Sequence, residues 1–163
     1  MSDPLEAAVR EALDRAGVPY ELLECDPDLA DTAAFCAHYG WSPEMSANTI
    51  VVASKKGDKR YAACVVTATT RLDVNRTVKR LLGVSKASFA SPAETQEVTG
   101  MMIGGVTPLA LPADLPVYVD ERVMAQPEVI LGGGSRSMKV KVSPKVFEHL
   151  PGVTVIEGLA NEI

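Results

Sequence analysis

The chain opens with a segment of helical periodicity. Between residues 4 and 16 the apolar residues recur every three or four positions, Asp3 stands where a helix cap belongs, and Gly17 follows the last periodic residue. This pattern predicts an amphipathic helix. We then expect a short strand at 20–23 and a second helix at 31–39, which ends before a glycine.

Two apolar, β-branched runs follow, at residues 48–54 and 60–67. The residues between them are polar and include Gly57, which is typical of a tight turn. The two runs therefore predict an antiparallel β-hairpin, and no other strand pair in the chain has so clear a signal.

Helices and short strands alternate irregularly in the second half. A helix is predicted at 73–82, with basic residues outward, and another at 92–99, where Ser91 and Glu94 have the spacing of a capping box. Further strands are predicted at 116–120, 128–131, 138–142 and 153–156, and a last helix from Pro144. Because hairpins and crossovers are mixed, we expect an α+β fold, a mixed β-sheet or open barrel flanked by helices, as a single domain over residues 1–163.

The composition is that of an ordinary globular protein. Hydrophobic residues make up 47% and charged residues 23% of the 163 residues. The amino-terminal residues do not form a secretory signal, and no apolar stretch is long enough to span a bilayer. The three cysteines, Cys25, Cys36 and Cys64, are odd in number and lack C-x-x-C spacing, so neither a disulfide framework nor a zinc knuckle is indicated. We therefore expect a cytoplasmic protein.

Positive charge is concentrated in the middle of the chain. The net charge is −5, which argues against a general positive field for nucleic acid. Residues 55–86, however, hold nine basic and two acidic side chains, a local charge of +7. This segment is either a phosphate-binding face or a solvated helix face next to a hairpin tip.

The stretch GMMIGGVTPLAL at 100–111 contains a glycine pair, Gly104 and Gly105, followed by Pro108. Paired glycines allow positive φ and a close approach of the backbone to a ligand, so that amide N–H groups can stabilise an oxyanion. The alternative is a tight turn before a strand.

A second glycine run, Gly132 to Gly134, precedes Ser135 and Arg136. Three glycines in a row suggest a close backbone approach, and the following side chains offer a hydroxyl and a phosphate-binding guanidinium. The alternative is a flexible hairpin loop. Neither run has the spacing of a P-loop or a Rossmann fingerprint.

Several motifs occur together in a characteristic order: Ala47-Asn48-Thr49-Ile50-Val51-Val52, Leu72-Asp73-Val74, Leu82-Gly83-Val84, Phe89-Ala90-Ser91-Pro92, Gly104-Gly105-Val106-Thr107-Pro108 and Gly133-Gly134. With them, residues 18–157 resemble the YbaK/EbsC family, which includes the editing insertion of bacterial prolyl-tRNA synthetase. The resemblance implies a mixed, barrel-like domain that hydrolyses the ester between an amino acid and the tRNA 3′ end, typically on the tRNA for proline when it carries cysteine or alanine. It implies no metal and no organic cofactor.

Position 48 departs from the pattern of that family. The resemblance implies a lysine there, needed for activity and followed by threonine or serine, whereas this chain has Asn48-Thr49. Asparagine provides a donor and an acceptor but no charge. Three interpretations remain: a changed substrate class, a role moved to a nearby basic residue such as Arg136, or a binding protein that does not hydrolyse its ligand.

We place the site between the strand start at 48–49, the loop 104–108 and the loop 132–137. The expected catalytic residues are Asn48, Thr49, Gly104 and Gly105, and the expected substrate contacts are Val106, Pro108, Gly133, Gly134, Ser135 and Arg136. The acceptor end of a mischarged tRNA would lie on Arg76, Lys79, Arg80 and Lys86. A deacylase, a non-catalytic binder of tRNA or an aminoacyl group, and an interaction partner of an aminoacyl-tRNA synthetase remain open as functions. No membrane partner is expected.

Overall fold

A five-stranded mixed sheet lies at the centre of the fold in the computed structural model, which describes residues 3–163. Its strands in spatial order are β5 (Ala87–Phe89), β2 (Ala47–Ser54), β3 (Tyr61–Thr67), β6 (Val117–Asp120) and β9 (Val153–Ile156). Strand β2 pairs antiparallel with β3 and β5, whereas β6 and β9 extend the sheet in parallel to β3. The predicted hairpin is confirmed, and it forms one sheet with the crossover strands.

The hairpin is buried on both faces. Along β3, Ala63 and Val65 belong to one core cluster, whereas Cys64 and Val66 belong to a second cluster on the opposite face. This double burial explains why the run is continuously apolar instead of alternating. Gly57 in the turn has φ +74°, a conformation that other residues rarely adopt.

A second, antiparallel sheet packs beside the first. It consists of β1 (Tyr20–Glu24), β8 (Met138–Val142) and β7 (Val129–Gly132), in that order. A parallel bridge between Ser46 and Ile130 joins the two sheets. A third pair is formed by β4 (Thr70–Leu72) and β10 (Ala160–Glu162). The sheets do not close into a barrel, so the expected mixed α+β fold with an open arrangement is confirmed.

Helices cover the outer faces of the sheets. They are α1 (Pro4–Ala16), α2 (Thr32–Tyr39), α3 (Lys79–Leu82), α4 (Pro92–Thr99) and α5 (Glu121–Met124), with 3₁₀ turns at Pro27–Leu29, Pro108–Ala110 and Pro144–His149. The predicted caps of α1 and α4 are confirmed: Asp3 accepts from the Leu5 amide at 2.8 Å, and Ser91 and Glu94 form a reciprocal capping box. Within residues 3–163 no helix has the length and apolar character needed to cross a bilayer.

The segment predicted as one helix at 73–82 is more complex. Its first part, Val74–Val78, is a π-helical turn, and only the second part is α-helical. The Val78 amide donates to the carbonyl of Asp73, five residues back, and the Asp73 carboxylate also accepts from the Thr77 hydroxyl at 3.0 Å. These bonds to Asp73 widen the turn, which the apolar spacing alone could not reveal.

Candidate functional site

A cavity of about 260 Å³ opens where the start of β2, the segment before α2, the glycine loop after α4 and the ends of β7 and β8 meet. Its size is just below the range of about 300–1,000 Å³ that is usual for small-molecule sites. The lining residues are Ala30, Asp31, Thr32, Phe35, Ser46, Ala47, Asn48, Thr49, Ile50, Val51, Phe89, Ala90, Thr95, Ile103, Gly104, Val106, Ile130, Leu131, Gly132 and Lys139.

Asn48 lies at the mouth of this cavity, on the second residue of β2. Its Oδ1 accepts a hydrogen bond from the hydroxyl of Thr32, which begins α2. This contact orients the amide, because the oxygen is engaged and the two N–H groups of Nδ2 are left as donors. The half-buried Asn48 therefore presents a fixed neutral donor at the cavity.

Thr49 also lines the cavity. Its Oγ1 is buried and has no hydrogen-bond partner among residues 3–163. An unsatisfied buried hydroxyl costs about 1–3 kcal/mol, so such groups are usually paired. The Thr49 side chain lies on the opposite face of β2 from that of Asn48, so a contact between its hydroxyl and a ligand stays a prediction.

The first glycine loop contributes Gly104 and Val106 to the cavity wall. Gly104 has φ +94°, so the predicted positive φ occurs at the first glycine of the pair. Gly105 is turned away from the cavity: a Cβ there would lie 2.7 Å from the carbonyl carbon of Ser135. Its amide donates to the Met102 carbonyl at 2.9 Å and is therefore already engaged.

Of the six predicted substrate contacts, only Val106 lines the cavity, and the others lie outside it. Pro108 is buried at the start of a 3₁₀ turn and borders another cavity, beside α1. Ser135 donates from its hydroxyl to Glu6 of α1 at 2.6 Å. Neither side chain lines the cavity described above, and their role in substrate binding stays a prediction.

The second glycine run makes the close backbone approach that the sequence suggests, and the partner is the chain itself. A Cβ at Gly132 would collide with the Val106 carbonyl, and one at Gly133 would lie 2.5 Å from the Met138 oxygen. Gly134 donates from its amide to the Gly105 carbonyl at 2.9 Å. The run thus holds β8 and the first glycine loop together, and only Gly132 borders the cavity.

Arg136 ties three segments together behind the cavity. Its Nη1 donates to the Ile103 carbonyl at 2.6 Å and pairs with Asp31 at 3.3 Å, and its Nε donates to the Pro27 carbonyl at 2.9 Å. The side chain does not border the cavity, although Asp31 does. The guanidinium is therefore engaged with the protein, and a direct substrate contact stays a prediction.

Lys139 is a cavity residue that our sequence analysis missed. It is 7% exposed, and its Nζ donates to the carbonyls of Ala30 and Gly104, each at 2.7 Å. The ammonium lies 5.6 Å from the centroid of the Phe35 ring. Burial lowers the pKa of Lys139 from its ordinary value. The only indication in the sequence was a lysine on a strand that was predicted to be half-buried. Such a lysine is normally expected on the solvent-facing side of the strand.

The basic residues expected to bind tRNA lie on and near α3. Arg76, Arg80 and Lys86 are exposed and Lys79 is half-buried. A second cavity, of about 490 Å³, lies nearby and is lined by Arg71, Leu72, Asp73, Val74, Asn75, Ala87, Ser88, Phe89, Asn161, Glu162 and Ile163. Phe89 is 54% exposed and borders both cavities, so its ring marks where they adjoin.

Comparisons with known proteins agree with this architecture. A solved structure of a candidate trans-editing enzyme for prolyl-tRNA synthetase has a TM-score of 0.80 and 27% identity, with all of both chains covered. The hypothetical protein APE2540 has a TM-score of 0.79 and 28% identity over 91% of this chain and 97% of its own. The uncharacterized protein YwhH of Bacillus subtilis (strain 168) is 32% identical over 110 residues, which are 63% of this chain and 69% of that protein.

The profile of the aminoacyl-tRNA editing domain matches residues 26–150, well over half of the chain. This region contains β2, both glycine loops and Lys139, that is, most of the cavity wall. The match confirms the resemblance drawn from the sequence motifs. The chain belongs to the aminoacyl-tRNA editing domain family.

Proposed function

We propose that this protein is a trans-acting aminoacyl-tRNA deacylase, which hydrolyses the ester bond of a mischarged tRNA. The observation that carries the proposal is the cavity at the start of β2, which is lined by Asn48 with its oriented amide, by Thr49 and by the Gly104 backbone. The family to which the chain belongs supports the same activity. The protein would act in the cytoplasm, where a synthetase that supplies the mischarged tRNA is the expected partner.

The residues of the cavity favour direct attack by water. Among the described lining residues there is no histidine, and the two other groups that could act as a base, Asp31 and Lys139, are engaged by Arg136 and by two backbone carbonyls. The lining hydroxyls therefore have no base as a hydrogen-bond partner, which an activated nucleophile needs. In such a reaction the rate depends on fixed donors near the carbonyl oxygen, where negative charge develops. Asn48 would position the aminoacyl or ribose group, and Thr49 would donate its hydroxyl at the same end of the cavity.

The tRNA acceptor end would reach this cavity across Phe89. The exposed ring offers a stacking surface for a base, and the second cavity beside it carries Arg71, Asn75 and Asn161. The Asp73 carboxylate in that cavity already accepts from the Arg76 amide and the Thr77 hydroxyl. Arg76, Lys79, Arg80 and Lys86 would contact phosphates farther from the ester.

The test is a screen of the purified protein against a panel of mischarged tRNAs, with release of the amino acid measured under single-turnover conditions. We expect rapid deacylation of at least one species and none of correctly charged controls. Saturable binding that weakens steeply with salt, without ester cleavage, would instead identify a non-catalytic binder. Co-purification with a synthetase and no affinity for free tRNA would identify an interaction partner.

A further inference from the structure

Lys139 is a buried cation whose contacts are all neutral. Both of its hydrogen-bond partners are carbonyls, those of Ala30 and Gly104, and no carboxylate among residues 3–163 lies within 4.0 Å of its Nζ. The acid that borders the same cavity, Asp31, is paired with Arg136. A buried charge without an anionic partner is costly, which makes Lys139 a candidate for a functional residue.

The ammonium has one N–H to spare. A lysine carries three donors, and two of those of Lys139 are used by the protein. The residue directly across the β7–β8 pair is Gly132, which also borders the cavity. Since Gly132 has no side chain, it does not screen Lys139 from the cavity.

Several hydrogen-bond donors that the sequence predicted for the site are already engaged within the protein. The Gly105 amide is engaged by Met102, and Arg136 is engaged by Asp31 and two carbonyls. Asn48 provides a neutral amide only. Among the described residues that line the cavity, Lys139 is the one lysine or arginine.

We propose that Lys139 is the charged donor of the aminoacyl site: its third N–H binds the carbonyl oxygen of the aminoacyl ester and stabilises the negative charge that develops there. This inference rests on the proposed deacylase function. Water adds to the carbonyl carbon, the ester C–O bond breaks, and the ribose oxygen leaves with a proton that derives from the water. Lys139 stays protonated throughout and is not consumed. Its two bonds to carbonyls hold the ammonium in place, so that little reorganisation is needed during the reaction.

The first test compares two neutral variants with a matched control. Lys139→Met keeps the length of the side chain without a donor, and Lys139→Gln keeps a donor without the charge. Lys141 lies on the same strand, pairs with Glu21 at 3.1 Å and does not border the cavity, so Lys141→Met is the control. We expect single-turnover rates about 10²–10³-fold lower for Lys139→Met, a smaller loss for Lys139→Gln, and unchanged tRNA affinity in all three.

Moving the positive charge from position 139 to position 48 separates a chemical role of Lys139 from a structural one. If a cation near the ester is what matters, Asn48→Lys in the Lys139→Met background should recover at least about tenfold in rate. A purely structural Lys139 would give variants with a lowered melting temperature, a general loss of tRNA binding and no rescue. That result, or a wild-type rate for a folded Lys139→Met, would overturn the inference and leave the proposed function standing.

A binding measurement keeps the inference testable even if wild type does not turn over any tRNA. A non-hydrolysable aminoacyl-adenosine amide retains the carbonyl, and its affinity can be measured by calorimetry beside that of adenosine. We expect Lys139→Met to lower the affinity for the aminoacyl-adenosine amide about tenfold or more and to leave the affinity for adenosine unchanged. Equal affinity of wild type and Lys139→Met for the amide, or no binding of the amide to wild type, would refute the inference. Failure of the proposed function would appear as the absence of turnover in the screen of mischarged tRNAs, and it would not change the result of the binding measurement.

Discussion

The hydroxyl of Thr32 donates a hydrogen bond to Oδ1 of Asn48. This contact joins the start of α2 to the start of β2, two segments sixteen residues apart in the chain. It also decides which end of the Asn48 amide is free, since the oxygen is engaged and the nitrogen is left for a ligand. The sequence alone leaves open whether Asn48 would meet a ligand as a donor or as an acceptor. The hydrogen bond from Thr32 fixes the amide so that its nitrogen is available as a donor.

We expect Asn48→Ala to lower the single-turnover deacylation rate by ~10- to 1000-fold, because a positioned hydrogen bond is lost. Thr32→Val should cause a smaller loss, since the amide remains but can rotate. Asn48→Lys should shift activity towards the tRNA for proline that carries cysteine or alanine. If wild type, Asn48→Ala and Asn48→Lys are equally inactive on every mischarged tRNA, while fold and tRNA binding persist, the protein is a binding module.

Replacement of Gly105 with valine should abolish activity and reduce stability. A Cβ at this position would lie 2.7 Å from the Ser135 carbonyl carbon, so the loop must shift, at a cost of about 1–3 kcal/mol. Thermal unfolding and the deacylation rate check both effects. Gly100→Asn is the control, because Gly100 has open space around its Cα and asparagine tolerates the left-handed conformation. Normal activity of Gly105→Val would remove the glycine loop from the proposed site.

Charge reversal at Lys79 and Arg80 should weaken tRNA binding by a similar factor for tRNAs of different sequence, since phosphate contacts carry no base information. The slope of log affinity against log salt should become shallower at the same time. Both are measured by filter binding over a range of salt concentrations. Lys145→Glu, an exposed lysine outside residues 55–86, should have little effect. Unchanged affinity of the double variant at low salt would exclude this face.

Phe89→Ala should weaken binding of the tRNA 3′ end, because stacking on an aromatic ring contributes about 1–3 kcal/mol per base. The expected loss is largest for short oligonucleotides that end in the acceptor sequence, where few phosphate contacts remain. Val155→Ala is the matched control, since Val155 on β9 is a similarly exposed apolar residue outside both cavities. Equal losses from both variants would argue against a specific stacking site.

Glu94 should stabilise α4 in a pH-dependent way. The hydrogen bond from the Ser91 amide, together with Lys59 and Lys55, lowers the pKa of Glu94 to about 2 from 4.5. A carboxylate with a lowered pKa stabilises the folded state fully above its unfolded pKa and loses this contribution as the pH falls towards the folded value. The melting temperature of Glu94→Gln should therefore lie below that of wild type at pH 7, and the gap should narrow between pH 4.5 and 2. Glu97→Gln, on the same helix, should show no such gap.

The sequence predicted the β2–β3 hairpin and strand β8 well because their pattern is set by local periodicity and by a turn. It failed for β4, β5 and β10, which are three residues long and exist only through pairing with distant strands. The π-helical turn at Val74–Val78 was also beyond reach, because it depends on the side chain of Asp73 and not on apolar spacing.

For the site, the sequence placed Asn48, Thr49, Gly104 and Val106 together, and all four line one cavity. Lys139 could not be predicted in the same way. Its strand alternates as a half-buried strand should, and the lysine is buried only because the segment before α2 and the glycine loop cover that face. The sequence named Arg136 as the basic residue that could take over the role of a lysine at position 48, whereas the proposal assigns that role to Lys139, because Arg136 is engaged by Asp31 and two carbonyls.

The two glycine runs are bonded to each other through Gly134 and Gly105, and Gly132 abuts the backbone of Val106. Where Gly104 and Gly132 border the cavity, the wall is therefore main chain supported by main chain. In the proposed deacylase such a wall would select by exclusion: acyl groups that fit would enter the cavity and bulkier ones would not. Discrimination would thus depend on what the backbone keeps out more than on what the side chains attract.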